Sequence, residues 1–257
     1  TIVVTGEKGY TGSLDVTFTI NKASLNDTAI TVANQTYTGS ALRPAVTVKI
    51  GDNTVATANY DVAYSNNTNA GNATVTITGK NNYTGTASKT FTIAKANIQK
   101  ANVTGVANRY YTGKARTQTD LKVNIAGKAL SKSDYKVAYK NNKNVGKATL
   151  TITGQGNYTG TITKTFIVKP RKVANVKVTK GKKRVTVRYK KQNGARYQIY
   201  YKTTGSKAKT VKTAAVKRTI KKLKSGKTYT IKVRAYKKIG SKTYYGKYSK
   251  AKKVRVR

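Results

Sequence analysis

The sequence holds no cysteine, histidine, methionine or tryptophan, and only two prolines, among its 257 residues. Without cysteine there is no disulfide, no thiolate metal site and no thiol nucleophile. Without histidine the commonest general base and metal ligand is missing too. Acids are scarce, with seven Asp and Glu against 52 Lys and Arg. They are scattered, so no carboxylate pair is set up for acid–base work, and Asp52, Asn53 and Asp61 do not fall at any calcium-loop spacing. Serine and lysine are plentiful, but abundance alone does not mark a Ser–Lys dyad. The sequence therefore predicts no enzymatic activity, no cofactor and no metal. Every apolar run is short and broken by Thr, Lys or Asn, so none is long enough to span a bilayer as a helix.

The positive charge is graded along the chain. Residues 1–93 carry six cations and five acids (+1), residues 94–169 carry fourteen and two (+12), and residues 170–257 carry 32 and none (+32), which sum to +45. Such a field does not choose a fold, but it attracts polyanions and repels cations.

What is present is repetition. Asn157-Tyr158-Thr159-Gly160 leads to Phe166, Asn82-Tyr83-Thr84-Gly85 leads to Phe91, and Tyr10-Thr11-Gly12 leads to Phe18. The Tyr-to-Phe distance is eight residues each time, and these are the chain's three Phe. Each Tyr follows an alternating run closed by Gly, as in Thr76-Ile77-Thr78-Gly79. Strand, tight turn, strand is the reading, with Phe18 and Ile20 on one side and Thr17 and Thr19 on the other. Tyr37 and Tyr111 lie 74 residues apart, close to the 73 and 75 residues that separate successive Phe, so the whole unit repeats. Each unit reads as six or seven short strands, and nothing has helical periodicity. The expected domains are 21–93 and 94–168. Residues 1–20 match only the end of such a unit, as a truncated preceding repeat whose other strands belong upstream.

These units resemble the Ig-like repeats of large secreted and surface proteins of clostridia and related Gram-positive bacteria. The resemblance rests on the early Tyr-Thr-Gly, on Asp134-Tyr135 before the central strand, on the Asn-Asn-x-x-x-Gly loop, and on the closing Gly-x-x-Asn-Tyr-Thr-Gly-(x)5-Phe. Such domains sometimes hold Lys–Asn crosslinks beside a buried acid. Here Asp61 aligns with Lys136 and Asp134 with Asn59, so no acid recurs and no crosslink is expected. The N-x-Thr triplets at Asn82 and Asn157 are read as turn residues.

After Pro170, residues 171–257 resemble a fibronectin type III domain. Leu223, Gly226, Tyr229, Val233 and Ala235 match that family's Leu-x-x-Gly-x-x-Tyr-x-x-x-Val-x-Ala run, with Tyr229 as the tyrosine-corner residue. Tyr189 stands where the family usually has Trp. The two resemblances imply an all-β chain of tandem Ig-like sandwiches followed by a fibronectin-like sandwich.

The fibronectin layout also implies which cations share a face. Tyr200, Lys202, Lys232, Arg234, Tyr236, Lys253 and Arg255 fall on one exposed sheet face, and Arg188, Lys190, Lys217 and Lys221 on the other. Tyr interleaved with cations suits stacking and phosphate neutralisation, so the first set is the candidate polyanion-binding surface. The expected role is a non-catalytic extracellular spacer held at a Gram-positive cell wall by anionic polymers such as teichoic acid. The alternatives are an adhesin or biofilm module that binds host polyanions or nucleic acid without sequence preference, and a purely mechanical spacer.

Overall fold

The computed structural model describes all 257 residues, and its regular structure is almost entirely β-strand, with 53% of residues in strands and 2% in helix. It divides into two compact units, residues 1–97 with 155–159, and residues 98–154 with 160–257. No helix is long and apolar enough to cross a membrane.

The first unit opens with an antiparallel hairpin of Ile2–Thr5 and Ser13–Val16. Its second strand stops before Phe18. The matching strand of the first repeat, Thr86–Ala94, continues through Phe91 and Ile93. Partners explain the difference. Phe91 and Ile93 are 3% and 1% exposed within a two-sheet core, whereas Phe18 and Ile20 are 55% and 83% exposed.

The first repeat stacks two sheets. One joins Tyr60–Ser65, Gly71–Gly79 and Thr86–Ala94 antiparallel, with Gln35–Thr36 added in parallel on the last strand. The other joins Ala29–Val32, Val46–Ile50 and Asn53–Thr54. Period-two alternation drives Val75 and Ile77 inward against Leu25, Ile30 and Val48, and Ala73 inward beside Phe91 and Ile93, and leaves Thr74, Thr76 and Thr78 on the other face. Tyr64 meets Phe91 edge-on, with ring centroids 6.3 Å apart.

The Asn-Asn loop has a physical reason. Asn66 sits in the left-handed region (φ 54°), which asparagine tolerates better than most residues. The backbone carbonyl of Asn67 then accepts from the N–H of Leu42, and its side-chain amide donates to the Leu42 carbonyl. Asn141 (φ 60°) and Asn142 repeat the device on Arg116. The amide of Asn157 is also engaged, accepting from Ala70 N–H and donating to Asn69.

The second unit repeats the scheme. Tyr135–Lys140, Gly146–Gly154 and Thr161–Lys169 form one sheet, with Arg109–Tyr110 parallel at its edge, and Asn102–Thr104, Lys122–Ile125 and Lys128–Ala129 form the other. One substitution rewires a shared contact. Tyr64 donates its hydroxyl proton to the carbonyl of Pro44, which has no N–H. At the matching place Gln118 has an N–H, and Tyr139 accepts from it at 3.0 Å.

The C-terminal sandwich packs a sheet of Lys177–Gly181, Arg184–Arg188 and Lys217–Ile220 on a second sheet. That second sheet contains Lys209–Thr213, Arg196–Thr203, Thr228–Ile239, Lys242–Tyr245 and Lys252–Arg255. Its core gathers Val185, Val187, Ile199, Ile231 and Val233 around Tyr197. Lys209–Thr213 and Lys242–Tyr245 are strands that the sequence reading does not anticipate. Tyr229 Oη accepts from the N–H of Lys224 at 3.1 Å, five residues upstream, and so holds the corner. Gly246 is obligatory, because a Cβ there would lie 2.5 Å from the carbonyl oxygen of Pro170, which is backbone and does not yield cheaply.

Candidate polyanion-binding surface

Alternation along the second sheet assigns its outer face. Tyr197, Ile199, Ile231, Val233 and Ala235 point into the core, so their neighbours Tyr200, Lys202, Lys232, Arg234 and Tyr236 point away from it. The registers Tyr200↔Lys232, Thr230↔Lys253 and Thr228↔Arg255 bring Lys253 and Arg255 onto the same face. All seven predicted residues thus share one side of one sheet.

They are not equally free. Lys202, Lys253 and Arg255 are exposed, although Arg255 also donates from Nε to the Gly226 carbonyl at 3.1 Å. Tyr236 is a correction to the expected exposed face, being only 6% exposed. Tyr245 lies across the pair Tyr236↔Tyr245 with centroids 5.7 Å apart, and Lys212 Nζ sits 5.7 Å from the Tyr236 ring. That ring is not an open stacking surface. Arg234 is enclosed as well. Its guanidinium lies 3.9 Å from the Tyr245 centroid and 4.5 Å from that of Tyr248, and its Nε donates to Gln198 Oε1 at 2.7 Å. Lys232 Nζ lies 5.5 Å from the Tyr200 centroid. These contacts hold the edge strand and the 246–249 segment on the sheet, so much of the cation–π capacity of the face is spent internally.

The opposite sheet shows a different pattern. Lys177 faces Arg188, and Arg188 faces Lys217, so three cations stand side by side across three strands. Like charges directly opposite one another destabilise a sheet. The two ion pairs of the chain, Lys80–Asp61 at 2.7 Å and Arg109–Asp120 at 3.9 Å, lie outside this domain, and residues 170–257 contain no acid to make one.

Tyr189 fills the slot usually held by Trp. It is buried against Tyr197, with centroids 4.6 Å apart, and its hydroxyl donates to the Ala215 carbonyl at 2.8 Å. Burial pushes the phenol pKa well up, the neighbouring Tyr197 adds to this, and Arg218 opposes it.

The fold of this domain agrees with the comparison of the chain with known families. Residues 168–251 match the model of the fibronectin type III domain. Residues 168–251 are a fibronectin type III domain. Fibronectin type III domains commonly serve as extracellular spacer or adhesion modules and are typically non-catalytic. Among solved structures the chain is similar to the rat CD45 extracellular region, domains d3–d4, at 20% identity and a TM-score of 0.30, covering 37% of this chain and 55% of that one. It is also similar to the chicken CNTN1 FN1–FN3 domains at 15% identity and a TM-score of 0.32, covering 72% of this chain and 77% of that one. The chain spans about half the length of the rat CD45 fragment. No curated protein matches it.

Signals for the missed elements were faint. Lys209–Thr213 and Lys242–Tyr245 are edge strands whose residues are all exposed or half-buried, so they lack an alternating apolar face. Two of the side chains that enclose Arg234 come from Lys242–Tyr245 and from the segment just after it.

Proposed function

We propose that this protein is a non-catalytic extracellular spacer of tandem Ig-like repeats of the bacterial type. In this reading its fibronectin domain is held at a Gram-positive cell wall by contact with anionic polymers such as teichoic acid. The observation that carries this reading is the row Lys177, Arg188 and Lys217 in a domain with 32 cations and no acid. Solubility calls for interspersed charges of both signs, which repel less. A surface that sets like charges face to face is relieved when an external polyanion binds and releases counterions. Lys202, Lys253 and Arg255 supply further open cations on the second sheet. The polymer is held by many such contacts over both sheets rather than by a sequence-reading groove.

The test is binding of the chain to isolated walls before and after removal of teichoic acid, at several salt concentrations. Binding that disappears with the polymer and weakens steeply with salt is the expected result. Binding that survives stripping of the walls overturns the reading.

A further inference from the structure

One concavity of the fibronectin domain differs from the two sheet faces. It is a recess of about 470 Å³ where the end of Arg196–Thr203, the turn after it and the segment 221–224 converge. Lys202, Lys207, Lys209, Lys221, Lys222 and Lys224 all line it. Tyr201 and Tyr229 line it as well, Tyr229 being buried and Tyr201 packed against the core.

The backbone that carries these lysines is fixed. Lys224 N–H donates to Tyr229 Oη at 3.1 Å, Leu223 N–H to the Lys183 carbonyl at 3.0 Å, and Gly226 N–H to the Val256 carbonyl at 3.0 Å. On the other side Ser206 Oγ accepts from Thr203 N–H and donates to the Thr203 carbonyl, both at 3.0 Å, which closes the turn that bears Lys207. Tyr201 pairs with Lys209 across the strands. Lys222 occupies the left-handed region (φ 59°), where Gly is far cheaper, so here a cation is carried on unfavourable backbone.

A concave wall of one charge sign focuses its field, so the potential at the recess exceeds that over a flat row of the same cations. Its volume lies in the range of small-molecule sites, with room for more than one phosphate group. Lysine offers compact, mobile ammonium donors and no fixed planar fork, which suits the tetrahedral oxygens of a flexible phosphate chain.

We infer that this recess is the principal phosphate subsite of the domain, seating neighbouring phosphate groups of a flexible poly(alditol phosphate) chain. This rests on the polyanion reading above and gives it a location. Lys202, placed by the sequence on the sheet face, belongs to the rim of this recess.

The experiment is calorimetric titration of the whole chain with inorganic tripolyphosphate and with short poly(glycerol phosphate), at low and at physiological salt. A recess variant combines Lys207→Ser, Lys221→Ser and Lys222→Gly. A control variant removes equal charge through Lys238→Ser, Lys242→Ser and Lys250→Ser. The hairpin bearing Lys238 and Lys242 lies at the far end of the Thr228–Ile239 strand from Tyr229, roughly 30 Å away at the usual strand rise. Lys222→Gly alone relaxes the backbone, so its melting temperature serves as the folding check.

The expected result is a loss of roughly tenfold or more for the recess variant and less than about threefold for the control. Equal losses overturn the recess while leaving the polyanion reading in place. Absence of binding by the unaltered chain at low salt overturns both. Equally tight binding of a single-stranded oligodeoxynucleotide through the same three lysines overturns the assignment to a poly(alditol phosphate) in favour of nucleic acid.

Discussion

The first repeat and the fibronectin domain solve the same packing problem and dress the solution differently. In Gly71–Gly79 the core positions Ala73, Val75 and Ile77 alternate with Thr74, Thr76 and Thr78, and Thr76 bonds Ser88 across the sheet at 3.0 Å. In Thr228–Ile239 the core positions Ile231, Val233 and Ala235 alternate with Lys232, Arg234 and Tyr236. The inward halves are equivalent, while the net charges are +1 for residues 1–93 and +32 for residues 170–257. The charge is therefore no requirement of the sandwich. It is a property added to a fold that stands without it, which is why a partner is the natural place to look for its use.

The comparison can be broken most forcefully in the cores. Ile77→Ala and Ile231→Ala each delete a fully buried side chain, and each should cost about 2–5 kcal/mol in chemical denaturation. Similar losses sharpen the claim of equivalent interiors. A loss at one site alone breaks it. Next in size is the response to polymer. Teichoic acid at about a hundredfold excess over its dissociation constant should stabilise the fibronectin domain by roughly 2.7 kcal/mol. Residues 21–93 should hardly respond, and the effect should shrink as salt rises. Calorimetry resolving the two transitions decides this, and equal shifts would erase the distinction.

A smaller effect concerns Tyr189. Its folded-state pKa is raised, so the folded protein holds the phenolic proton more tightly than the unfolded chain. That stability is fully present below the ordinary tyrosine pKa of about 10 and falls as the pH rises beyond it. Tyr189→Phe should cost about 1 kcal/mol near neutrality, since the Ala215 carbonyl loses its donor. The same variant should lose less stability than the parent between about pH 10 and 12. A parallel decline of the two proteins would assign the alkaline loss elsewhere. Smallest of all, Val4→Ala in the opening hairpin should change stability by less than about 0.5 kcal/mol, because Val4 is 56% exposed where its counterpart Ile77 is buried. Amide protons of residues 1–20 should exchange faster than those of residues 74–93.

Much of this fold is legible in the sequence. Period-two alternation marks the strands with an apolar face, and the resemblance to fibronectin type III domains implies Tyr229 and its corner. Elements without such a face were not legible. Lys209–Thr213 and Lys242–Tyr245 are too mixed, and the Thr57–Asn59 turn is a single loop of 3₁₀ helix. For the site, the fibronectin layout implies seven residues on one face but says nothing about what covers them. Tyr245, Tyr248 and Gln198 decide how open Arg234 is, and those contacts are tertiary. The lysine recess was hidden for the same reason, since its six cations come from two separate segments of chain.

The short parallel pairings have a mechanical meaning. Gln35–Thr36 runs beside Ile93 and Ala94, and Tyr37 N–H donates to the Ala94 carbonyl; Arg109–Tyr110 runs beside Val168 and Lys169, and Tyr111 N–H donates to the Lys169 carbonyl. In each repeat an early strand and the closing strand thus point the same way. Tension applied along the chain slides such a pair lengthwise, loading its hydrogen bonds together in shear, whereas an antiparallel hairpin pulled at its two ends opens one bond at a time. Under load the lifetime of a fold is set by its unfolding rate. These few bonds, negligible in an equilibrium account, are the clasp that each repeat presents to a stretching force.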